Sequence, residues 1–219
     1  MKSIFPDPRH ATEDGLLTVG GFITPEILID AYTHGIFPWP ISIELPLAWF
    51  SPNPRGIIKL DHFSPSRNLL KSFNQMGFTI KYNQNFEAVI KGCATHHSHN
   101  FSKETWITPE MISGYCDLYK KGHAFSAETY NSKNELVGGL YGVTINGFFS
   151  GESMFFTESN ASKFALYSLL ELLKNKNILM LDTQMVTPIT EKFGADYIDR
   201  EDYLKILHRS LKLTPIKFP

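Results

Sequence analysis

Residues 136–156 read LVGGLYGVTINGFFSGESMFF. Two β-rich runs, 136–145 and 148–156, flank Asn146-Gly147, the residue pair favoured by a two-residue type I′ turn because both central positions need positive φ. A turn of that kind without a bulge sets Ile145 opposite Phe148, and from there Tyr141 opposite Glu152 and Gly139 opposite Met154. Alternation then places Phe148, Ser150, Glu152, Met154 and Phe156 on one face. Glu152 is a carboxylate among apolar neighbours, and burying it unpaired costs kilocalories. Either the Tyr141 hydroxyl or a nearby Lys or Arg satisfies it, or it receives a cationic group of a substrate in a partly desolvated cleft.

Downstream of the hairpin, Ser159-Asn160 reads as a cap. It opens a helix from Ala161 to about Asn175 that buries Ala165, Leu166, Leu169, Leu172 and Leu173. A strand over Ile178 to Gln184 follows, then a short helix opened by Thr187-Pro188 and closed by Gly194, and a last helix from Glu201 to Leu211. This order implies an α+β sheet domain. Upstream, Pro6, Pro8, Pro25, Pro38, Pro40, Pro46, Pro52, Pro54 and Pro65 make the first third loop-rich. It holds one short helix capped by Thr24, with Ile27, Leu28, Ala31 and Tyr32 at helical spacing and Gly35 at its end. The change of pattern near residues 56 to 63 divides the chain into a small N-terminal domain, 1–58, and a sheet domain, 59–219.

The chain has 219 residues and 42% hydrophobic content, enough for a sizeable core. Its opening, MKSIFPDPRHATEDG, lacks the apolar region of a signal peptide, and no stretch is long and apolar enough for a bilayer. Two cysteines, Cys93 and Cys116, form neither a CxxC nor a disulfide framework and read as small buried hydrophobes in a reducing cytoplasm. A net charge of −1 argues against coating nucleic acid by bulk electrostatics. The stretch from Tyr203 to Pro219 carries Lys205, Arg209, Lys212 and Lys217 with no acidic side chain, either a solvated helix face or a nucleic-acid contact.

Asp182 and Gln184 stand two apart at the end of the apolar run Leu179-Met180-Leu181. They therefore point the same way, at a strand end where ligands collect or where such residues cap a turn. Other motifs carry no chemistry. His96-His97-Ser98-His99 lacks the spaced geometry of a zinc site and reads as a solvated loop, so no metal is expected. Gly138-Gly139-Leu140-Tyr141-Gly142 does not open a helix and fits no phosphate loop or dinucleotide fingerprint, so no cofactor is expected either. There is no GxSxG, and Cys93 near histidines has no local signature.

A set of ordered blocks does carry an identity. Phe5-Pro6-Asp7-Pro8, Gly15-Leu16-Leu17 with Gly20-Gly21, Ala31-Tyr32 with Gly35-Ile36-Phe37-Pro38-Trp39, and Trp49-Phe50-Ser51-Pro52-Asn53-Pro54-Arg55 come first. Thr105-Trp106-Ile107, Leu136 to Val143, Gly151 to Phe155, Asn160 to Lys163, Asp182-Thr183-Gln184 and Gly194-Ala195 follow in order. Together they resemble the leucyl/phenylalanyl-tRNA–protein transferases over nearly the whole chain. The resemblance implies a small N-terminal domain followed by an acetyltransferase-like (GNAT) mixed-sheet domain. It implies transfer of Leu or Phe, and also Met, from aminoacyl-tRNA to the N-terminal Arg or Lys of acceptor proteins, which marks them for degradation. The enzyme is expected to act as a cytoplasmic monomer without cofactor. By matching position, Trp49 and Trp106 would stack on the terminal adenosine, and Leu140, Met154, Leu166 and Leu181 would form the amino-acid pocket. Asp182 and Gln184 would hold the attacking amine and relay its proton, and Glu152 would meet the acceptor's cationic side chain. Strict alternation turns Leu181 away from Asp182 and Gln184, so only a twisted or bulged strand end reconciles these assignments.

The chain departs from the family at Thr183, where cysteine is usual; on the opposite strand face, that change is expected to matter little. It departs again over Ala94 to Glu104, where histidines replace arginine. Two other readings compete. An acetyl-CoA-dependent N-acetyltransferase would need a pyrophosphate-binding turn before a helix, absent from the sequence. A non-catalytic RNA-binding module would tolerate loss of Asp182 and Gln184.

Overall fold

The computed structural model describes residues 3–41, 45–100 and 105–219, with 97–100 described by backbone alone. After a 3-10 turn at Pro8–His10, the N-terminal part contains β1 (Leu16–Val19), α1 (Pro25–Thr33), β2 (Phe37–Pro38) and β3 (Ala48–Phe50). Its strands form a small antiparallel sheet in the order β1-β3-β2. The rest runs β4 (Arg55–Lys59), α2 (Arg67–Met76), β5 (Thr79–Tyr82), α3 (Phe86–Asn100), α4 (Pro109–Lys120), β6 (Ala124–Tyr130), β7 (Leu136–Ile145) and β8 (Phe148–Phe156). It continues with α5 (Ala161–Asn175), β9 (Met180–Gln184), α6 (Pro188–Glu191), β10 (Ala195–Ile198) and α7 (Arg200–Ser210).

The larger sheet has seven strands in the order β10-β4-β9-β8-β7-β6-β5. Every neighbouring pair is antiparallel except β8 and β9, so the sheet is mixed and the α+β class is as expected. The expected division at residue 58 falls inside β4, whose residues pair between β10 and β9; on that pairing we place the division between Phe50 and Arg55. One core lies between the sheet and α1, α3, α4 and α7, with Leu28, Val89, Ile90, Met111, Tyr115, Phe148, Phe155 and Leu207 among its members. The other lies against α5, where Ala165, Leu166, Leu169, Leu170 and Leu173 meet Phe149, Leu140, Ile58 and Leu181.

The helix starts follow their caps. Thr24, Thr108 and Thr187 each accept a backbone N–H three residues on and precede a proline that has no N–H to leave unpaired. Asn160 is different. It lies in the left-handed region with φ 65° and makes no capping hydrogen bond, because its side-chain oxygen instead accepts from Lys163 Nζ at 2.8 Å. The histidine segment is not a loop, since α3 continues through it to Asn100. Val89, Ile90 and Cys93 anchor its earlier turns in the core, and each residue then added to an existing helix gains a bond at little further entropy. The side chains of His97, Ser98 and His99, and with them the expectation of no metal there, lie outside the described residues, as do residues 101–104.

The hairpin turn is as expected, with Ile145 opposite Phe148, but the register changes further along. Gly142 pairs with Gly151 and Tyr141 with Ser153, so Glu152 is the extra residue of a β-bulge, and Leu140 rather than Gly139 faces Met154. Two backbones meet too closely here for any side chain: a Cβ at Gly142 would stand 2.0 Å from the Ser150 carbonyl oxygen. The bulge also reverses the faces beyond it. Phe148 and Phe155 enter one core, whereas Met154 packs on the other, beside Phe149.

Gly142→Ala is therefore expected to lower stability by about 1–3 kcal/mol through forced strand displacement. The measurement is the urea midpoint, and an unchanged midpoint would show that the bulge yields without strain.

Candidate active site

β8 and β9 run parallel for only two registered pairs, Phe149 with Leu181 and Ser150 with Asp182. Beyond these the strands part, and a cavity of about 580 Å³ opens between Gly151 to Met154 on one side and Thr183 and Gln184 on the other. Strand ends that diverge leave backbone and side-chain groups for a ligand to meet. Leu140, Met154, Leu166 and Leu181 make an apolar chamber, closed on a third side by Thr187 to Thr190 of the α6 segment. Phe37, Trp39, His96, Trp106 and Phe156 line it as well, with Glu152 and Gln184 as its polar end.

Glu152 is held by three neighbours. Ser150 Oγ donates to Oε1 at 3.0 Å, Gln184 Nε2 donates to the same oxygen at 3.2 Å, and the Tyr115 hydroxyl donates to Oε2 at 3.3 Å. Tyr115 in turn shares a 2.6 Å hydrogen bond with the Tyr32 hydroxyl. Burial pushes the Glu152 carboxyl up to about 7, aided by the charge of Asp182 and opposed by hydrogen bonds from the surrounding hydroxyls. The expected partner Tyr141 is not involved. Opposite Ser153 instead of Glu152, its hydroxyl is buried without a hydrogen bond among the described residues.

Asp182 and Gln184 do not face the same way. Asp182 is 0% exposed, turned inward onto Arg55, whose Nε and Nη2 donate to its two oxygens at 2.9 and 2.7 Å. The Tyr203 hydroxyl adds a 2.8 Å bond to Oδ2, and the backbone N–H of Gln184 a 3.0 Å bond to Oδ1. Burial alone would lower the Arg55 pKa, but the charges of Asp182, Tyr203 and Glu152 and the hydrogen bond to Asp182 together outweigh it and the net shift is upward, so the guanidinium stays charged. Gln184, 8% exposed, lines the cavity, where its Nε2 also donates to Ser150 Oγ at 2.7 Å. The cause is a break in alternation: pairing with β4 passes from Asp182–Ile57 directly to Gln184–Gly56, and Gln184 takes φ 56°. This irregular strand end lets Leu181 and Gln184 share one cavity. A non-glycine residue in that conformation carries strain of the kind that gathers at functional sites.

The tryptophans also sort differently from expectation. Trp49 is 1% exposed, donates Nε1–H to the Gly20 carbonyl at 2.9 Å and meets Phe5 edge-on, so it is a core anchor away from the cavity. Trp39 takes its place beside Trp106, with ring centroids 6.1 Å apart. Sequence reading missed Trp39 although its block, Gly35 to Trp39, was in view.

Comparison with known proteins now decides the family. The family profile for leucyl/phenylalanyl-tRNA protein transferase matches residues 57–208, and the profile for its N-terminal domain matches residues 21–53. The leucyl/phenylalanyl-tRNA–protein transferase of Colwellia psychrerythraea is 45% identical over 210 residues, covering 94% of this chain and 86% of that one. The enzyme of that name from Hydrogenovibrio crunogenus is 44% identical over 207 residues, 93% of this chain and 79% of its own. The chain belongs to the leucyl/phenylalanyl-tRNA protein transferase family. Among solved structures, L-PGS from Bacillus licheniformis aligns with a TM-score of 0.48 at 13% identity over 85% of this chain and 70% of that one, too distant to bear on the reaction.

Within this transferase, Thr183 lines the cavity and is not on an indifferent face, a further result of the irregular end of β9. Lys205, Arg209 and Lys212 lie exposed on and just after α7, whose other side buries Tyr203 and Leu207, and none of the three lines the cavity. Lys205 is ion-paired with Asp202 at 2.7 Å. Among the described residues, no helix is long and apolar enough to cross a membrane. Cys93 is buried, which pushes its thiol up to about 12, in keeping with a packing role.

The folded transferase holds the Glu152 proton to about pH 7, whereas the ordinary glutamate value is 4.5. Between those values the fold binds more protons than the unfolded chain, so this group's contribution to stability falls as pH rises through the window. Glu152→Gln is expected to flatten that part of the stability curve measured by urea denaturation at successive pH values. A slope unchanged by the substitution would place the titration elsewhere.

Proposed function

We propose that this cavity seats the 3′ end of a leucyl- or phenylalanyl-tRNA and passes its amino acid to the N-terminal amine of an acceptor protein. The observation that carries the reading is a single cavity in which an apolar chamber ends at the Glu152–Gln184 pair, with Trp39 and Trp106 along the same wall. Leu140, Met154, Leu166 and Leu181 suit an apolar side chain without fine shape selection, since a methylene changes discrimination by only about 1–3 kcal/mol. That fits Leu, Phe and Met alike. The two indoles suit a terminal adenine, because stacking stabilises a base by about 1–3 kcal/mol without reading sequence.

The amine nitrogen attacks the ester carbonyl carbon, forming the new C–N bond. The C–O bond to the ribose breaks, and the 3′ oxygen leaves with a proton that the amine has shed. An α-amine, with a pKa of about 7.7–8.0, is partly neutral already, so positioning matters more than a strong base. Gln184 spends its amide donors on Ser150 and Glu152, which leaves Oε1 as the acceptor it offers to an amine N–H. Glu152 meets positive charge, either the cationic side chain of an N-terminal Arg or Lys or the charge on the tetrahedral adduct. Asp182, shut away from the cavity, acts through the backbone of Gln184 and not on substrate.

The test follows labelled phenylalanine from its tRNA into a peptide beginning with Arg. Gln184→Ala is expected to lower kcat by about 100-fold, the order associated with losing a positioning contact. Trp39→Ala is expected to raise KM for the aminoacyl-tRNA about tenfold, consistent with one lost base stack, while Trp49→Ala lowers the melting temperature and leaves that KM unchanged. Label that requires acetyl-CoA, or that is indifferent to Gln184, would overturn the reading. Transfer is further expected to weaken steeply with salt, since phosphate contacts release counterions; if substitution of Lys205, Arg209 and Lys212 leaves that slope intact, those residues are bystanders.

A further inference from the structure

We infer that Arg55 is a positioning residue for aminoacyl transfer, one guanidinium that holds the segment carrying Trp39 in register with the strand end carrying Gln184. The inference rests on the reading of the cavity given above. Arg55 is buried in β4, and its donor nitrogens join two separate structural parts. Nη1 donates to the Gly35 carbonyl at 3.0 Å, at the start of the run Gly35-Ile36-Phe37-Pro38-Trp39. Nε and Nη2 grip the two oxygens of Asp182, and Asp182 Oδ1 also accepts the backbone N–H of Gln184. Two rings pack on the guanidinium, with Cζ 4.7 Å from the Phe37 centroid and 4.5 Å from that of Tyr203. Phe37 itself lines the cavity two residues before Trp39.

A planar fork has fixed angles between its donors, so Gly35 and Asp182 cannot shift relative to one another without bending or losing a bond. The next residue reinforces the link. Gly56 pairs with Gln184, and a Cβ there would stand 2.5 Å from the Met185 carbonyl carbon, so β4 also supports the backbone that gives Gln184 its left-handed conformation. The tryptophan wall and the acceptor oxygen of Gln184 are thus referenced to one rigid group that touches neither substrate. Lysine at this position keeps a positive charge and can reach one partner, but it lacks the fork and the stacking plane. Charge alone and geometry are thereby separable.

The experiment uses the full chain, phenylalanyl-adenosine as the minimal donor and an Arg-initiated peptide. Arg55→Lys is expected to lower kcat about 100-fold and to raise the donor KM several-fold. In double variants these losses should not multiply. Adding Arg55→Lys to Gln184→Ala should lower kcat by less than about threefold further, and adding it to Trp39→Ala should leave KM within about twofold. Full multiplication in both cycles, or a lowered melting temperature with kcat and KM intact, would show Arg55 to be structural only. If Arg55→Lys does not fold, Tyr203→Phe decides. It removes a single hydroxyl from the Asp182 cluster, and its kcat loss must vanish in the Gln184→Ala background for the inference to stand. Should Trp39→Ala and Gln184→Ala singly change nothing, the reading of the cavity fails and not the role of Arg55.

Discussion

The ion pair between Arg55 and Asp182 governs the arrangement of this molecule. Both side chains are removed from water, at 1% and 0% exposure. Desolvating two charges is expensive, and their attraction offsets it only where geometry is good and the remaining donors and acceptors are filled. Here they are filled, by Gly35, Tyr203 and the Gln184 backbone. Truncating one partner of such a pair leaves a bare buried charge, typically worth 3–5 kcal/mol. The pair also selects between arrangements. With it in place, β4, β9, α7 and the end of α1 meet in one way, and the cavity wall nearest Gln184 inherits its shape from that meeting.

The site is made from departures from regular structure. β8 and β9 separate after two parallel pairs, β7 and β8 slip by one residue at Glu152, and β9 leaves its alternation at Gln184. The last two departures are permitted by a neighbour without a side chain, Gly142 at the bulge and Gly56 beside Gln184. The first opens space, and the other two aim polar groups into it. Burial in that arrangement then raises the Glu152 pKa.

Local sequence signals were legible wherever local physics decides. Asn146-Gly147 foretold the turn, Thr24 and Thr187 stand where caps belong, and the leucines of residues 161–175 marked their helix. The four members of the apolar chamber were named by the family resemblance and not by periodicity, which alone would have turned Leu181 away; all four line the cavity. What failed depended on partners distant in the chain. No local pattern says that Asp182 meets a residue 127 positions away and turns from the side Gln184 faces. Trp39 and Trp49 both stand in short aromatic blocks, and only the pairing of β2 with β3 decides which indole reaches the cavity. The bulge at Glu152 likewise depends on the close approach of Gly142 to Ser150, which alternation counted from the turn does not foretell.

Strand order carries a consequence for how the protein comes into being. β4 enters the sheet between β9 and β10, strands that begin at Met180 and Ala195, so a segment laid down early waits for the last third of the chain before it can pair. Contacts of such sequence separation form late, because a long loop must close before they give anything back. A nascent chain emerging from the ribosome already carries both indoles and Glu152 while Asp182 and Gln184 are still unmade. The Gln184 end of the cavity is therefore the final piece of assembly, and a partial polypeptide lacks the wall that β9 supplies.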